Sequence, residues 1–297
     1  IHAVEAYLTD TLDEKVRDNY HWVMIAKNYE GYLELNNLIS NSFNKDGHFY
    51  YNPRISMDEM MNTSDNIIMT SACLGSPLWQ YYKKAYDRNG MLKDKVFEDK
   101  LDNILSWIKE NNHRVFLEIQ YHKEPEQIEY NRLLLNWSHS TGAKLIAGTD
   151  THALDDDYAK TRKVYLDAKQ ASYGNEDEMD LTLKSYDGLV DASEEQNSLL
   201  KNTYLEAIHY TNIMADMIEP FEHNDDVKYP QLYKNPESVF KNKINKGFID
   251  RGINKFDKEK KKEYLERIEQ EYDVYKSTGA INYMLLQEHI TTWCRDN

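Results

Sequence analysis

The segment Lys144-Leu-Ile-Ala-Gly-Thr-Asp-Thr-His152 joins a short apolar run to two side chains that can bind a metal ion. Its first four residues predict a β-strand, and Asp150 and His152 follow that strand. Side chains two positions apart on an extended segment lie on the same side, and carboxylate and imidazole groups are ligands for Zn or Mn. The segment therefore predicts either a metal site or a capped turn, in which Asp155, Asp156 and Asp157 serve the next helix N-terminus.

Four other short apolar runs predict strands, at residues 3–8, 22–26, 67–70 and 115–119. Helical patterns separate them, including an apolar stripe from Leu33 to Phe43 and a capping box formed by Ser56 and Glu59. Alternating strands and helices are typical of an α/β fold with a parallel sheet or a barrel. Residues 175–180 predict an acidic loop. After about residue 190 only helical patterns remain, so we expect a second, all-helical unit.

Three more potential metal ligands are connected to the predicted strands. Glu5 lies inside the first strand, where a buried carboxylate is costly unless it is paired or metal-bound. His21 begins the second strand, and Cys73 follows the third. Each has a simpler explanation: a basic partner for Glu5, a hydrogen-bonded core histidine, and a small buried hydrophobic residue at position 73. Their shared placement at strands favours one common site, because ligands lie at the carboxyl ends of strands in such folds.

The fourth strand carries two further polar candidates. Glu118 alternates with apolar residues within it, and His122 follows it. Both are predicted to support the metal ligands from behind or to contact the substrate.

Composition limits the classes of protein that remain. The net charge of −15 over 297 residues argues against a chain that binds nucleic acid through its whole surface. Two cysteines are too few for a disulfide framework, which indicates a reducing, cytoplasmic location. No apolar run approaches the ~20 residues of a membrane span. Motifs for a serine nucleophile, a phosphate-binding glycine loop or a paired-cysteine site are absent, so metal-assisted hydrolysis is the chemistry that the sequence favours.

Several motifs together resemble one protein family. They are His21-Trp-Val-Met-Ile-Ala-Lys-Asn-Tyr-Glu-Gly-Tyr32, Pro53-Arg-Ile55, Thr70-Ser-Ala-Cys-Leu-Gly75, Phe116-Leu-Glu-Ile-Gln120 and Gly148-Thr-Asp-Thr-His152. Their order and approximate spacing resemble the PHP (polymerase and histidinol phosphatase) domain of the C-family replicative polymerases, the DNA polymerase III alpha subunits. Thr278-Gly-Ala-Ile-Asn-Tyr-Met284 is similar to the start of that family's polymerase core.

The resemblance implies a fold and a ligand set. It implies an incomplete, distorted (β/α)7 barrel at residues 1–219 and a helical start of the polymerase core at residues 220–297. It also implies that five residues bind a divalent metal cluster of Zn and/or Mn: Glu5, His21, Cys73, Asp150 and His152. Asp150 and His152 are the expected catalytic pair. The family's His-x-His motif would precede Glu5 and its catalytic palm, which uses Mg, would follow Asn297, so we expect the chain to be a fragment.

The implied function is that of a replicative DNA polymerase fragment whose PHP domain hydrolyses terminal phosphodiesters as a 3′–5′ exonuclease. Its partner would be DNA, at the 3′ end of a primer-template, together with replisome subunits such as a clamp or a proofreading subunit, and no membrane. Abundant Tyr, Asn and Lys fit a phage-encoded member. Two alternatives stay open: a non-catalytic PHP scaffold that braces the polymerase, and a stand-alone phosphatase acting on a small phosphomonoester.

Overall fold

The structure is a computed structural model that describes residues 1–17, 19–170, 179–223, 226 and 229–297. The chain divides into two compact units, Ile1–Glu222 and His223–Asn297. Residues 175–178 of the predicted acidic loop lie outside the described residues. Of the described helices, none combines the length and apolar character that a bilayer crossing requires.

Seven strands form the sheet of the first unit: β1 (Ala3–Thr9), β2 (Tyr20–Ala26), β3 (Phe49–Tyr50), β4 (Asn52–Ser56), β5 (Ile67–Thr70), β6 (Val115–Gln120) and β7 (Leu145–Gly148). Their order is β3-β4-β1-β2-β5-β6-β7. The β4–β1, β5–β6 and β6–β7 pairs are parallel, whereas β2 runs antiparallel to both β1 and β5. The predicted α/β class is confirmed, but the sheet is mixed rather than parallel. Among the described residues the two outermost strands, β3 and β7, do not pair with each other, so the sheet stays open.

One face of the sheet carries the main hydrophobic core. Because side chains alternate along a strand, Trp22 and Met24 of β2, Met69 of β5 and Leu117 of β6 all point to this face, and none is exposed. Helices cover it: α1 (Tyr29–Asn44), α2 (Met57–Met61), α3 (Pro77–Ala85), α4 (Lys95–Glu110) and α5 (Pro125–Thr141). This face supplies the apolar burial that stabilises the unit.

The opposite face is divided into an apolar part and a polar part. Ile25, Ile68, Phe116 and Ile146 form a small buried cluster. Three more helices follow β7, namely α6 (Asp156–Lys169), α7 (Tyr186–Gln196) and α8 (Lys201–Asp216), and Met214 of α8 packs on the cluster. One step further along the same strands, the side chains become polar. This polar part of the face holds the candidate site.

The local helix predictions have mixed outcomes. The capping box is confirmed, because Ser56 accepts from the Glu59 backbone and the Glu59 side chain accepts from the Ser56 backbone. The apolar stripe on α1 was partly wrong: Leu35 is buried, but Leu33 and Phe43 are 50% and 55% exposed. Phe43 instead stacks on Phe49 of the short strand β3, with ring centroids 6.0 Å apart.

Arg54 of β4 is the most deeply enclosed charge in the first unit among the described residues, with 1% of its surface exposed. Its guanidinium donates only to backbone carbonyls, including those of Glu14 at 2.9 Å, His48 at 3.1 Å and Gly47 at 2.5 Å. Because buried donors must be satisfied, these hydrogen bonds hold the loop after β1 and the turn before β3 against the edge of the sheet.

The second unit is helical. It contains α9 (Pro236–Asp250), a 3₁₀ turn (Ile253–Lys255), α10 (Lys258–Ser277) and α11 (Ile281–Asp296). Lys243 of α9 forms an ion pair with Glu288 of α11 at 2.8 Å, and Lys276 of α10 pairs with Glu237 at 3.1 Å. Phe240 stacks on Tyr272 between α9 and α10. This unit has the all-helical character that the sequence predicts after about residue 190.

Candidate metal centre

The register of β1 and β2 brings Glu5 and His21 together. Glu5 is opposite Val23, and His21 is opposite Tyr7, so Glu5 and His21 are diagonal neighbours on one face. Glu5 Oε1 lies 3.2 Å from His21 Nδ1. The expectation that Glu5 is buried was wrong, because 49% of its side chain is exposed. The beginning of β1 is open to solvent on this face, so pairing is not forced by the cost of burial.

Cys73 reaches the same imidazole from the end of β5. Ala72 adopts a positive φ of 54°, which turns the chain after the strand. Cys73 Sγ then lies 3.5 Å from His21 Nδ1. The backbone N–H of His21 donates to Gly75 O at 2.9 Å. The segment from Cys73 to Gly75 thus encloses His21.

Glu5, His21 and Cys73 each offer one potential ligand atom, and these atoms all lie within 4.8 Å of one another. Hydrogen bonding to Cys73 and Glu5 raises the pKa of His21 to about 10. The hydrogen bond from His21 lowers the pKa of Glu5, and burial raises the pKa of the Cys73 thiol. A carboxylate, an imidazole and a thiol are a donor set that suits Zn and related divalent ions, so these three residues fit a metal ion.

Asp150 and His152 differ in where the structure places them. Asp150 lines the same cavity as His21 and Cys73. It has a positive φ of 46°, a conformation that is rare outside glycine, and burial raises the pKa of its carboxyl. His152 does not line that cavity, and its Nδ1 lies 2.6 Å from Asp150 O. With Nδ1 held by a carbonyl, Nε2 carries the lone pair that a metal ion needs. Metal binding by this pair stays a prediction.

The capped turn proposed as the alternative for this segment also exists. Asp155 Oδ1 accepts from the backbone N–H groups of Asp157 and Tyr158, both at 3.0 Å, at the start of α6. This cap explains Asp155; the Asp150 carboxylate instead lies 3.9 Å from His152 Nδ1.

Glu118 lies beneath the candidate centre rather than in it. Thr70 Oγ1 donates to its Oε2 at 2.7 Å, and Gln120 Nε2 donates to its Oε1 at 3.1 Å. Burial raises the pKa of the Glu118 carboxyl although both hydrogen bonds lower it. Gly148 of β7 has no Cβ at the position that the Glu118 side chain fills. These contacts are those of a residue that supports the end of β7, directly before Asp150.

His122 is 3% exposed, and neither ring nitrogen has a hydrogen-bond partner within the part of the chain that the structure describes. Burial lowers its pKa to about 4, so the ring is neutral. It does not line the cavity of His21. A role for His122 in contacting substrate stays a prediction.

The cavity beside the candidate ligands has a volume of about 230 Å³. Besides His21, Cys73 and Asp150, it is lined by side chains that the sequence analysis missed: Leu74, Gln80, Gln120, Glu126, Gln127 and Met179. No motif joins the three glutamines, which come from α3, the end of β6 and α5. Gln120 alone had a sequence signal, since it shares the strand of Glu118.

Comparison with known proteins shows which family the chain resembles. The family model of the PHP domain matches residues 1–122. The chain is 30% identical to the DNA polymerase III subunit alpha of Aquifex aeolicus over 317 aligned positions, which cover 97% of this chain and 25% of that protein. It is 28% identical to the corresponding subunit of Borreliella burgdorferi over 75% of this chain and 19% of that one. A DNA-directed DNA polymerase of Bacillus phage SPbeta is 27% identical over 77% of this chain and 19% of its own length.

The fold, the candidate ligands and the family match define an α/β protein with a PHP domain. More particularly, the chain is a DNA polymerase III alpha-like protein, because its similarity to those subunits extends beyond the PHP match over most of its length. It spans about a quarter or less of the length of these relatives.

Proposed function

We propose that the chain is part of a replicative DNA polymerase and that its PHP domain is a metal-dependent phosphoesterase acting as a 3′–5′ exonuclease on DNA. The carrying observation is the convergence of Glu5, His21 and Cys73 within 4.8 Å, beside a cavity that His21, Cys73 and Asp150 line. The relatives' names, DNA polymerase III subunit alpha, support DNA as the substrate class.

Glu5, His21 and Cys73 would hold one divalent cation, with Asp150 and His152 as further ligands. Zn or Mn there would supply Lewis-acid polarisation of the scissile phosphate.

The chain's own side chains would hold the metal ligands in position. Asp150 projects a carboxylate into the cavity from a turn that Glu118 and Gly148 brace, and such preorganised ligands limit movement during reaction. The ring of His21 is fixed by Gly75 and Tyr7, the latter an edge-to-face contact with centroids 5.4 Å apart. No oxyanion donor on the protein is needed when cations fill that role.

The test combines metal content with hydrolysis. The chain is dialysed against Zn or Mn, analysed for bound metal, and assayed on a 5′-labelled single strand and a primer-template. His21→Ala and Asp150→Asn should reduce both bound metal and 3′-end cleavage by about 100-fold or more, because even outer-shell changes cost 10–100-fold. His139→Ala, an exposed histidine on α5, should change neither.

The alternatives correspond to other results of the same experiment. Stoichiometric metal without cleavage of DNA or of p-nitrophenyl phosphate would leave a scaffold whose metal is structural. Cleavage of p-nitrophenyl phosphate but not of DNA would indicate a phosphatase. Absence of metal in the unsubstituted chain would exclude the proposed chemistry. Binding of a clamp or proofreading subunit is a separate proposal, which rests on the motif resemblance of the sequence alone.

A further inference from the structure

The cavity beside the candidate metal centre has a wall of amides. Gln80, Gln120 and Gln127 line it together with His21, Cys73 and Asp150. At about 30 Å³ per water molecule, its 230 Å³ is the volume of about eight waters, which is enough for a small heterocyclic ring. The cavity is therefore larger than a cation requires.

The three amides are alike in how they are held. Each uses its Nε2 group inside the protein, with donation to Leu74 O at 2.8 Å from Gln80, to Glu118 Oε1 at 3.1 Å from Gln120, and to Asn131 Oδ1 at 2.9 Å from Gln127. Within the described residues no hydrogen bond reaches any of the three Oε1 atoms. Each Nε2 thus has one of its two N–H groups engaged, whereas the three carbonyl oxygens accept no hydrogen bond among the described residues.

Gln127 is the clearest case of an amide oxygen without a hydrogen-bond donor. It is 0% exposed, and its buried Oε1 has no partner among the described residues. Its orientation is fixed by Asn131, whose Nδ2 donates to Gln120 O at 2.7 Å and to Gln196 Oε1 at 3.0 Å. Only Oδ1 of Asn131 is left for Gln127, so Gln127 must turn its Nε2 there. A buried acceptor without a donor is destabilising, and a ligand with an N–H group would relieve this cost.

The remaining lining selects the kind of ligand. Glu126 and Asp150 add carboxylates, so a phosphate group would be repelled from this space unless a cation intervened. Leu74 and Met179 add apolar and polarisable surface, against which a flat ring can pack. Acceptors around an apolar wall fit a heterocycle that carries N–H donors.

We propose that this glutamine-lined cavity binds the nucleobase of the terminal nucleotide, with its phosphodiester at the candidate metal ligands; the identity of that substrate rests on the proposed function. Enzymes that take a base out of the stack read its hydrogen-bonding edge in such a pocket. Guanine presents N1–H and an amino group side by side and should bind best. Thymine presents one N–H between two carbonyl oxygens, which would face the Oε1 atoms, and should bind worst.

Nucleosides test the cavity without testing hydrolysis, because they carry no phosphate and need no metal. Binding of deoxyguanosine and thymidine to the whole chain in EDTA is measured by saturation-transfer NMR. We expect deoxyguanosine to bind about tenfold more tightly, the ratio of roughly one hydrogen bond. Gln80→Met removes an acceptor at a partly exposed position and should reduce the ratio to about two or less, with Gln127→Met as the second variant. Gln287→Met, on the exposed surface of α11, is the matched control.

The outcomes separate the two proposals. Equal binding of both nucleosides, or a preference that survives Gln80→Met and Gln127→Met, overturns base recognition whatever the nuclease assay gives. A preference that the variants abolish supports base recognition even if no oligonucleotide is cleaved, and the failure then belongs to the hydrolase proposal alone. No nucleoside binding together with 3′-end cleavage overturns the base pocket and retains the exonuclease.

Discussion

Gly75 lies directly against the imidazole of His21: a Cβ at position 75 would be 2.7 Å from His21 Cγ and 2.8 Å from Nδ1. The same residue accepts the backbone hydrogen bond from His21 N. A glycine is therefore required by close approach rather than by its φ angle. The position of the candidate ligand depends on the absence of one methyl group.

Gly75→Ala should displace the His21 ring and weaken binding of Zn or Mn by about 10–100-fold, the usual effect of moving a ligand's support. Isothermal titration with the metal measures this change. Gly247→Ala is the control, because a Cβ at this helical position of α9 meets no atom within 4 Å. It should stabilise the chain by about 1 kcal/mol without changing metal affinity. Unchanged affinity in Gly75→Ala would show that His21 does not bind the metal.

Gly148 and Glu118 make a second such pair, in which a Cβ on Gly148 would overlap the Glu118 carboxyl. Gly148→Ala should destabilise the chain by about 1–3 kcal/mol, as overpacking does. Glu118→Ala in the same background creates room and should restore part of that loss. Urea unfolding of the four-member cycle measures the coupling. Additive effects of the two changes would disprove the contact.

The ionised carboxylate of Glu59 stabilises the folded chain, and this stabilisation is lost in acid. Burial disfavours its charge, but the hydrogen bonds from His48 and Ser56 outweigh burial and lower its pKa to about 2 from the ordinary 4.5. A lowered folded-state pKa stabilises above the unfolded value, and this contribution disappears as pH falls from about 4.5 to about 2. Glu59→Gln should cost about 2 kcal/mol at pH 6 and progressively less below pH 4.5. Urea midpoints of both proteins at several pH values provide the measurement, and a difference independent of pH would contradict it.

Cys73 and Cys294 allow metal binding to be measured by alkylation, since Cys294 is exposed and distant in sequence from the candidate ligands. At a cation concentration 100 times its Kd, only about 1% of the site is free, so alkylation of Cys73 should slow about 100-fold. Mass spectrometry of both peptides follows the rates, with Cys294 as the internal reference. If the cation slows neither cysteine, Cys73 is not a ligand.

Much of the fold follows from local patterns in the sequence. Five of the seven strands coincide with apolar runs, and the capping box of α2 has its expected geometry. The strands β3 and β4 were not predicted, because two residues are too few for a pattern and Pro53 argues against a strand. The mixed direction of the sheet was also not evident, since the turn that reverses the chain between β1 and β2 has no motif of its own.

The candidate site could be predicted only in part, and the limit has a physical origin. Strand ends bring distant residues to one edge, so the sequence alone is enough to group Glu5, His21 and Cys73. Strand position does not determine which part of a face stays open, and Glu5 proved half exposed. The glutamines of the cavity lie on helices and a strand far apart in sequence, where Gln is common on surfaces. Only packing reveals that they line one cavity.

The enclosure of Arg54 determines how the chain should respond to trypsin. A protease needs several residues around the cleaved bond in an extended, detached form, and Arg54 is instead held by carbonyls from two loops while β4 is paired with β1. Cleavage at exposed positions such as Arg17 or Arg88 requires only local movement. A peptide that ends at Arg54 therefore appears only after the sheet itself has opened. The rate at which this peptide accumulates reports the rate of global unfolding.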